Sequence, residues 1–218
     1  LDERLKEYYQ MGLRFAKWRA AFEVRISNSS TIITPTTEAI EENCRILAEY
    51  AKKCQSAGLV PIVEPEVVYD GYYSIKQNAE ITSKILDTLF EKLTDFGVNL
   101  RACILKVNMV LAGKNYKTPS TPEEVGAKTA EVLKNHVPAE LAGVVFLSGG
   151  QTVEQATDNL AEVEKNGPFP WPVTFSFARA LQDPTLYAWA GNNENADAAR
   201  QAFLDRLIAN TEALKALK

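Results

Sequence analysis

The sequence predicts an α/β fold, and within that class a barrel of parallel strands and helices, the (β/α)8 or TIM barrel. Short runs rich in Val, Ile and Phe alternate with longer stretches whose apolar residues recur at helical spacing, the pattern of βα units. Nearly every predicted strand also contains or ends in polar residues. Barrel enzymes gather functional side chains from the ends of many strands, whereas a doubly wound sheet concentrates them at one switch point, so we favour the barrel.

Five βα units follow one another along the chain. The predicted strands cover residues 14–20, 60–66, 103–110, 143–148 and 173–177. The predicted helices cover residues 37–57, 74–96, 121–135, 152–165 and 195–217, and the chain opens inside a further helical pattern. A complete barrel has eight strands and about 250 residues, so we expect that roughly three βα units are missing and should precede Leu1. No low-complexity linker interrupts the units, so residues 1–218 are interpreted as a single domain.

The first predicted helix illustrates the periodic pattern. Ile40, Cys44, Leu47 and Ala51 fall on one stripe, and Gly58 follows the helix as a typical stop. The other predicted helices likewise carry charges on one side and Leu, Ile, Val or Ala on the other. This pattern predicts that each helix packs one face against the sheet.

Composition and charge exclude several classes of partner. The chain has 46% hydrophobic and 24% charged residues, a formal net charge of −4 and a pI near 5.3, so no basic surface for nucleic acid is predicted. The longest apolar runs, such as residues 141–147, are far shorter than the ~20 residues that span a bilayer, so no membrane association is expected. The first residues lack a secretory signal, and a cytoplasmic location is expected.

Metal and disulfide chemistry are not expected either. The single histidine, His136, cannot supply the ligands of a usual catalytic zinc site. The three cysteines, Cys44, Cys54 and Cys103, have no metal-ligand spacing and fit the reduced thiols of a cytosolic protein. We therefore predict neither a metal nor a cofactor.

Polar residues two positions apart on three predicted strands form candidate functional pairs. Strand side chains alternate between the two faces of a sheet, so residues two apart point the same way. The pairs are Lys17 with Arg19, Glu64 with Glu66, and Lys106 with Asn108. The alternation allows every pair to face the barrel lumen.

Lys106 is the candidate nucleophile. A lysine in the middle of an apolar strand loses solvation unless it is neutral or well paired, and burial beside a cation such as Lys17 favours the uncharged amine. An uncharged amine is what a Schiff-base nucleophile must be. From the residues alone, an ion-paired structural lysine remains the alternative, and Glu64 and Glu66 fit either acid-base catalysis or salt bridges to the cations.

Two further segments predict an anion site. Ser148, Gly149 and Gly150 lead from a strand into a helix, where glycines let backbone N–H groups approach a ligand and the helix start favours negative charge. The next unit offers the Ser176 hydroxyl and the Arg179 guanidinium. Barrel phosphate sites are commonly built from the loops after the last two strands, which are the strands concerned here.

A series of motifs in a fixed order resembles the class I fructose-bisphosphate aldolases. The motifs are FAKWR at 15–19, PIVEPE at 61–66, LKVNMV at 105–110, FLSGGQ at 146–151, and residues 175–181. The resemblance runs through nearly all 218 positions. It implies reversible cleavage of fructose 1,6-bisphosphate into dihydroxyacetone phosphate and glyceraldehyde 3-phosphate, with no metal or cofactor, in a homo-oligomer that is usually a tetramer.

The resemblance also implies roles for individual residues. Lys106 corresponds to the Schiff-base lysine, Glu64 to the main general acid and base, and Glu66 and Lys17 to its partners in forming and dehydrating the carbinolamine. Arg19 corresponds to a ligand of one substrate phosphate. The substrate-binding group otherwise comprises Ser148, Gly149, Gly150, Ser176, Ala178, Arg179 and Asn108.

The sequence departs from the family pattern in places. Val107, Phe177 and Ala178 stand where the animal enzymes usually have proline, tyrosine and glycine. The family's first three strands, which carry an active-site aspartate and another lysine, have no counterpart, and the tyrosine-ended tail is absent. We therefore expect these residues in isolation to be inactive.

Two other functions stay open at this level. One is another Schiff-base barrel aldolase, resembling transaldolase or deoxyribose-phosphate aldolase, against which the two phosphate sites argue. The other is a non-catalytic module that keeps an aldolase-like surface for a protein partner. Buried charges without chemistry would cost stability, which argues against the second alternative.

Overall fold

The computed structural model describes residues 1–215, which form alternating strands and helices. The strands are β1 (Phe15–Phe22), β2 (Arg25–Ile26), β3 (Ile32–Thr34), β4 (Val60–Val67), β5 (Ile104–Asn108), β6 (Gly143–Leu147) and β7 (Val173–Phe175). The helices are α1 (Asp2–Gln10), α2 (Thr37–Ser56), α3 (Ile75–Asp95), α4 (Pro122–His136), α5 (Val153–Lys165), α6 (Arg179–Trp189) and α7 (Ala196–Ala213). The predicted helix over 195–217 therefore ends earlier, and its residues 216 and 217 lie outside the described part.

Five parallel strands form one sheet in the order β1-β4-β5-β6-β7. Each strand pairs with the next sheet strand along the chain, and a helix connects each pair, as in consecutive units of a (β/α) barrel. Strands β2 and β3 form a separate antiparallel hairpin between β1 and α2. The predicted fold class is therefore confirmed, with an arc of five barrel strands in this chain.

The main core lies between the outer face of the sheet and the helices. Val63, Leu105 and Phe146, from three adjacent strands, are fully buried there. Leu47 of α2 and Leu86 of α3 belong to the same buried cluster. The amphipathic stripes predicted from the sequence therefore face the sheet, and they hold the strands at fixed spacing.

Capping boxes fix the starts of three helices. In each, an N-cap hydroxyl accepts from the backbone N–H of the third helical residue, whose side chain accepts from the N-cap N–H in return. The three pairs are Ser74 with Gln77, Thr121 with Glu124, and Thr152 with Gln155. The third box sets where α5 begins, directly after the predicted phosphate loop.

The inner face of the sheet is uncovered over residues 1–215. Phe15, at its lower end, is 55% exposed and borders an apolar hollow of about 400 Å³ with Val60, Ile104 and Val145. Within the same residues, no strand pairs with the outer edge of β1 or of β7. None of the helices described is long and apolar enough to cross a membrane.

Candidate active site

The functional side chains stand on the inner face, toward the C-terminal ends of the strands. The β1–β4 register places Arg19 beside Glu64, so Lys17 lies one level below that carboxylate on the same face. Lys106 occupies the corresponding face of β5, the next strand of the sheet. Three neighbouring strands thus bring their charged side chains to one region of the same face.

Glu64 is the centre of this charge cluster. Its side chain is only 5% exposed, it accepts a hydrogen bond from the Lys17 ammonium, and its Oε1 lies 3.5 Å from Lys106 Nζ. The Lys106 side chain is 10% exposed, whereas that of Lys17 is 42% exposed. A buried carboxylate that contacts two amines is suited to moving protons to and from one of them.

A second ion pair lies just above the first. Arg19 Nε donates to Glu66 Oε2 at 2.5 Å, and this hydrogen bond raises the pKa of the guanidinium above its ordinary value. The Arg19 side chain is half-exposed, while that of Glu66 is largely buried. The guanidinium thus keeps N–H donors on its exposed side, and an anion can reach them.

A pocket of about 300 Å³ connects these ion pairs to the loops that follow β6 and β7. Its lining comprises Arg19, Glu64, Glu66, Lys106, Leu147, Ser148, Gly149, Ser176, Ala178 and Arg179. Two guanidinium groups and the Lys106 amine therefore offer N–H donors in one pocket, an arrangement suited to an anionic ligand.

The loop after β6 has a backbone that only glycine adopts readily. Gly149 and Gly150 have φ values of 36° and 79°. A Cβ on Gly149 would lie 2.7 Å from Leu147, and one on Gly150 would lie 2.7 Å from the Tyr69 ring. Both glycines are thus required for the sharp turn that leads into α5.

Helix α6 completes the pocket on the other side. Ala178 is its N-cap residue, and no side-chain hydrogen bond caps the helix there. Arg179 begins the helix, and Ser176 precedes it with its backbone N–H bonded to the Phe146 carbonyl of β6. An uncapped helix N-terminus with an adjacent guanidinium and hydroxyl is suited to binding phosphate.

The structure brings together nine of the predicted site residues in the pocket lining, and Lys17 joins them through Glu64. Two predicted residues are placed differently. Gly150 packs against the Tyr69 ring, and the side-chain amide of Asn108 bonds backbone groups of Val67 and Met109. Leu147 was not predicted, although strand alternation from Val145 places it on the inner face.

Comparison with protein families gives one match over almost the whole chain. The family model named Glycolytic, described as fructose-bisphosphate aldolase class-I, matches residues 1–217.

Sequence comparison with individual proteins identifies members of the same family. The chain is 43% identical to fructose-bisphosphate aldolase of Dictyostelium discoideum over 97% of this chain and 58% of that protein. It is 46% identical to cytosolic fructose-bisphosphate aldolase 4 of Arabidopsis thaliana, over 98% of this chain and 53% of that protein. The chain thus spans little more than half the length of these relatives.

A solved structure shares the fold closely. It is the ternary complex of Plasmodium falciparum fructose-bisphosphate aldolase with TRAP and a small-molecule inhibitor. The two chains are 45% identical, with a TM-score of 0.93 over 99% of this chain and 61% of that one.

Proposed function

The chain belongs to the class I fructose-bisphosphate aldolase family, and we propose that it serves the reversible cleavage of fructose 1,6-bisphosphate through a Schiff base on Lys106. The observation that carries this proposal is the Lys106 amine, buried in an apolar strand and 3.5 Å from the carboxylate of Glu64, in a pocket with anion-binding groups. Dihydroxyacetone phosphate and glyceraldehyde 3-phosphate are the products. The chemistry of the proposal needs no metal and no cofactor.

The first half of the reaction uses the cluster around Glu64. The neutral amine of Lys106 adds to the ketone carbon, and the ketone oxygen takes up a proton to give a carbinolamine. Glu64 carries protons between the amine and that oxygen, which leaves as water, while Lys17 holds the carboxylate in place. The iminium that forms on Lys106 is the electron sink for the next step.

The second half breaks the carbon–carbon bond. Removal of the proton from the C4 hydroxyl turns that carbon into an aldehyde, and the C3–C4 bonding electrons flow into the iminium to give an enamine. Glyceraldehyde 3-phosphate leaves. Protonation of the enamine at C3 and hydrolysis of the resulting iminium then release dihydroxyacetone phosphate and free Lys106.

Two anion-binding groups support a substrate with two phosphates. Arg19 lies on the first strand of the sheet, and Arg179 follows the last one, with Ser148 and Ser176 beside it. This separation favours a bisphosphate over the substrates of the other Schiff-base aldolases. Asn108 and Gly150 act from behind these groups in this proposal, since neither lines the pocket.

The location, oligomeric state and domain organisation of the protein are part of the same proposal. A relative named as cytosolic supports a cytoplasmic location, and the family resemblance supports a homo-tetramer. Residues 1–218 are proposed to act as one domain. A module kept only for protein binding is less consistent with the buried Glu64 and Lys106, because isolated buried charges reduce stability.

The test is to trap the Schiff base. The full-length protein is reduced with sodium borohydride in the presence of dihydroxyacetone phosphate, and the adduct is located by mass spectrometry of its peptides. We expect the adduct on Lys106 and its loss in Lys106→Met. Lys92→Met, which removes a partly exposed lysine paired with Glu91 outside the pocket, is the matched control and should retain the adduct. An unmodified Lys106, or an adduct on Lys17, would contradict the proposal.

A further inference from the structure

The pairing between β4 and β5 ends early, at the level of the catalytic cluster. Strands β1 and β4 are in register from Phe15 to Phe22, and β5 and β6 are in register over all five residues of β5. Between β4 and β5, only Ile62 with Ile104 and Val63 with Leu105 are paired. The two strands thus lose their backbone ladder where Glu64 and Lys106 begin.

Pro65 explains why the ladder stops. Successive N–H groups along an extended strand point to opposite edges, and those of Val60 and Val68 bond to carbonyls on the β1 side. The odd-numbered residues of β4 therefore direct their N–H groups toward β5. Pro65 stands at one of these positions and has no N–H, so the rung beside Lys106 cannot form.

The side chain of Asn108 replaces the missing connection. The Val67 N–H, the next donor on the β5 side, bonds to Asn108 Oδ1 at 3.0 Å instead of to a strand carbonyl. Asn108 Nδ2 donates to the Met109 carbonyl at 3.1 Å, which fixes the orientation of the amide. Both residues of the bridge are almost fully buried, with 5% of Asn108 and 4% of Val67 exposed.

This bridge lies just beyond the reacting groups, on the C-terminal side of both strands. Asn108 is two residues after Lys106 and shares its face of β5, and Val67 follows Glu66 directly on β4. The Cβ of Asn108 also lies 4.0 Å from the point where a Cβ on Gly149 would stand, so Asn108 lies beside the phosphate loop. The amide therefore connects the strand of the base with the strand of the nucleophile.

We propose that Asn108 is a positioning residue that sets the distance between Glu64 and Lys106 by bridging the gap that Pro65 leaves between β4 and β5. This inference rests on the proposed function, because its effect is read through the reaction of Lys106. Asn108 itself does not touch the substrate. Its amide holds two strands at a spacing that backbone hydrogen bonds alone do not determine there.

The test measures Schiff-base formation as a function of dihydroxyacetone phosphate concentration, by borohydride trapping on the full-length protein. Asn108→Leu keeps the number and branching of the side-chain heavy atoms but leaves the Val67 N–H without an acceptor. We expect its limiting rate to fall by about 10–100-fold, as for a small misplacement of reacting groups. The half-saturating concentration should change by less than about threefold, because no substrate contact is lost. Asn108→Asp keeps the acceptor for Val67 and should retain more of the rate.

The matched control is Asn210→Leu. Asn210 is fully buried and also makes two hydrogen bonds, from Thr157 and to the Arg206 carbonyl, but it lies between α5 and α7. The Asn210→Leu variant should lower the melting temperature as much as Asn108→Leu does, but it should not slow the trapping of the Schiff base. An Asn108→Leu variant that reacts at the wild-type rate, or an equal loss in both variants, would overturn the inference. A wild-type protein that forms no adduct would overturn the proposed function as well.

Discussion

Glu64 is the side chain through which the charges of the pocket are connected. Its carboxylate is in contact with Lys17 and lies 3.5 Å from Lys106, and it is itself almost fully buried. The Lys17 contact is the more exposed of the two, so water weakens it, whereas Lys106 has little access to solvent. The reactivity of Lys106 therefore depends on one carboxylate more than on any surface charge.

Replacing Glu64 with glutamine tests that dependence. The amide keeps the shape of the side chain but cannot carry a proton between amine and substrate, so we expect the rate of fructose 1,6-bisphosphate cleavage to fall by about 10²–10⁴-fold. Cleavage kinetics of the full-length protein measure this. Glu49→Gln, in an exposed ion pair with Arg45, is the control and should leave the rate unchanged. A Glu64→Gln variant with wild-type activity would remove Glu64 from the mechanism.

Two buried thiols predict how stability depends on alkaline pH. Burial raises the pKa of Cys44 and of Cys103 from 9.0 to about 12. Below pH 9 both folded and unfolded states keep these protons, so the stabilisation is fully present, and between pH 9 and 12 the unfolded state alone releases them. The free energy of unfolding should therefore fall by about 1.4 kcal/mol per pH unit for each thiol in that range.

Urea unfolding at several pH values checks this prediction. The double variant Cys44→Ala, Cys103→Ala has a lower starting stability because it leaves two cavities. Above pH 9, the free energy of unfolding of this variant should nevertheless fall less steeply with pH than that of the wild-type protein, since the two titrating thiols are gone. Equal slopes for both proteins would contradict the prediction.

At the scale of elements, Gly126 sets how closely α4 approaches α5. A Cβ at this position would lie 2.5 Å from the backbone carbon and oxygen of Glu162, which cannot move without shifting α5. We expect Gly126→Ala to lower the free energy of unfolding by about 1–3 kcal/mol, the usual cost of overpacking. Chemical denaturation of the variant and of the wild-type protein measures this difference in the free energy of unfolding.

Gly143→Ala provides the comparison for that variant. The nearest atom to a Cβ on Gly143 is the Pro172 carbonyl oxygen at 3.5 Å, an ordinary contact, so this change should cost much less. A Gly126→Ala protein as stable as Gly143→Ala would show that α4 and α5 can separate freely.

The sequence predicted the regular elements well because their signals are periodic. All five sheet strands were predicted to within two residues at each end, and β5 stops at Asn108 since the chain then leaves the sheet. The β2–β3 hairpin and α6 were not predicted. The hairpin strands are too short to show a period, and Pro184 interrupts the pattern of α6 although the helix continues through it.

The candidate site was predictable to the extent that it follows strand alternation. That rule placed Lys17, Glu64 and Lys106 on one face, as the structure shows. It also grouped Asn108 with Lys106, and the family resemblance then suggested a substrate-binding role for Asn108, whereas in the structure its amide is hydrogen-bonded to backbone groups. No sequence pattern shows that two strands separate, so the bond from Val67 could only be seen in three dimensions.

At the scale of the whole molecule, the pocket is open on the side of β1. The edge of that strand has no partner among residues 1–215, and the Arg19 side chain is half-exposed. Residues 1–218 produced alone should therefore fail to cleave fructose 1,6-bisphosphate and should self-associate through the exposed strand edges. An enzymatic assay and sedimentation at several concentrations measure both. Substantial cleavage by these residues alone, or a stable monomer, would contradict this.

The strand order β1-β4-β5-β6-β7 also has a consequence for how the chain acquires its structure during synthesis. Each sheet strand after β1 pairs with the sheet strand made one helix earlier, so each of these units finds its docking surface already present on the ribosome. The loops to be closed are then the length of one unit, which keeps the entropy cost of each step small. The sheet can therefore form one strand at a time during synthesis, because each completed strand offers its free edge to the next strand.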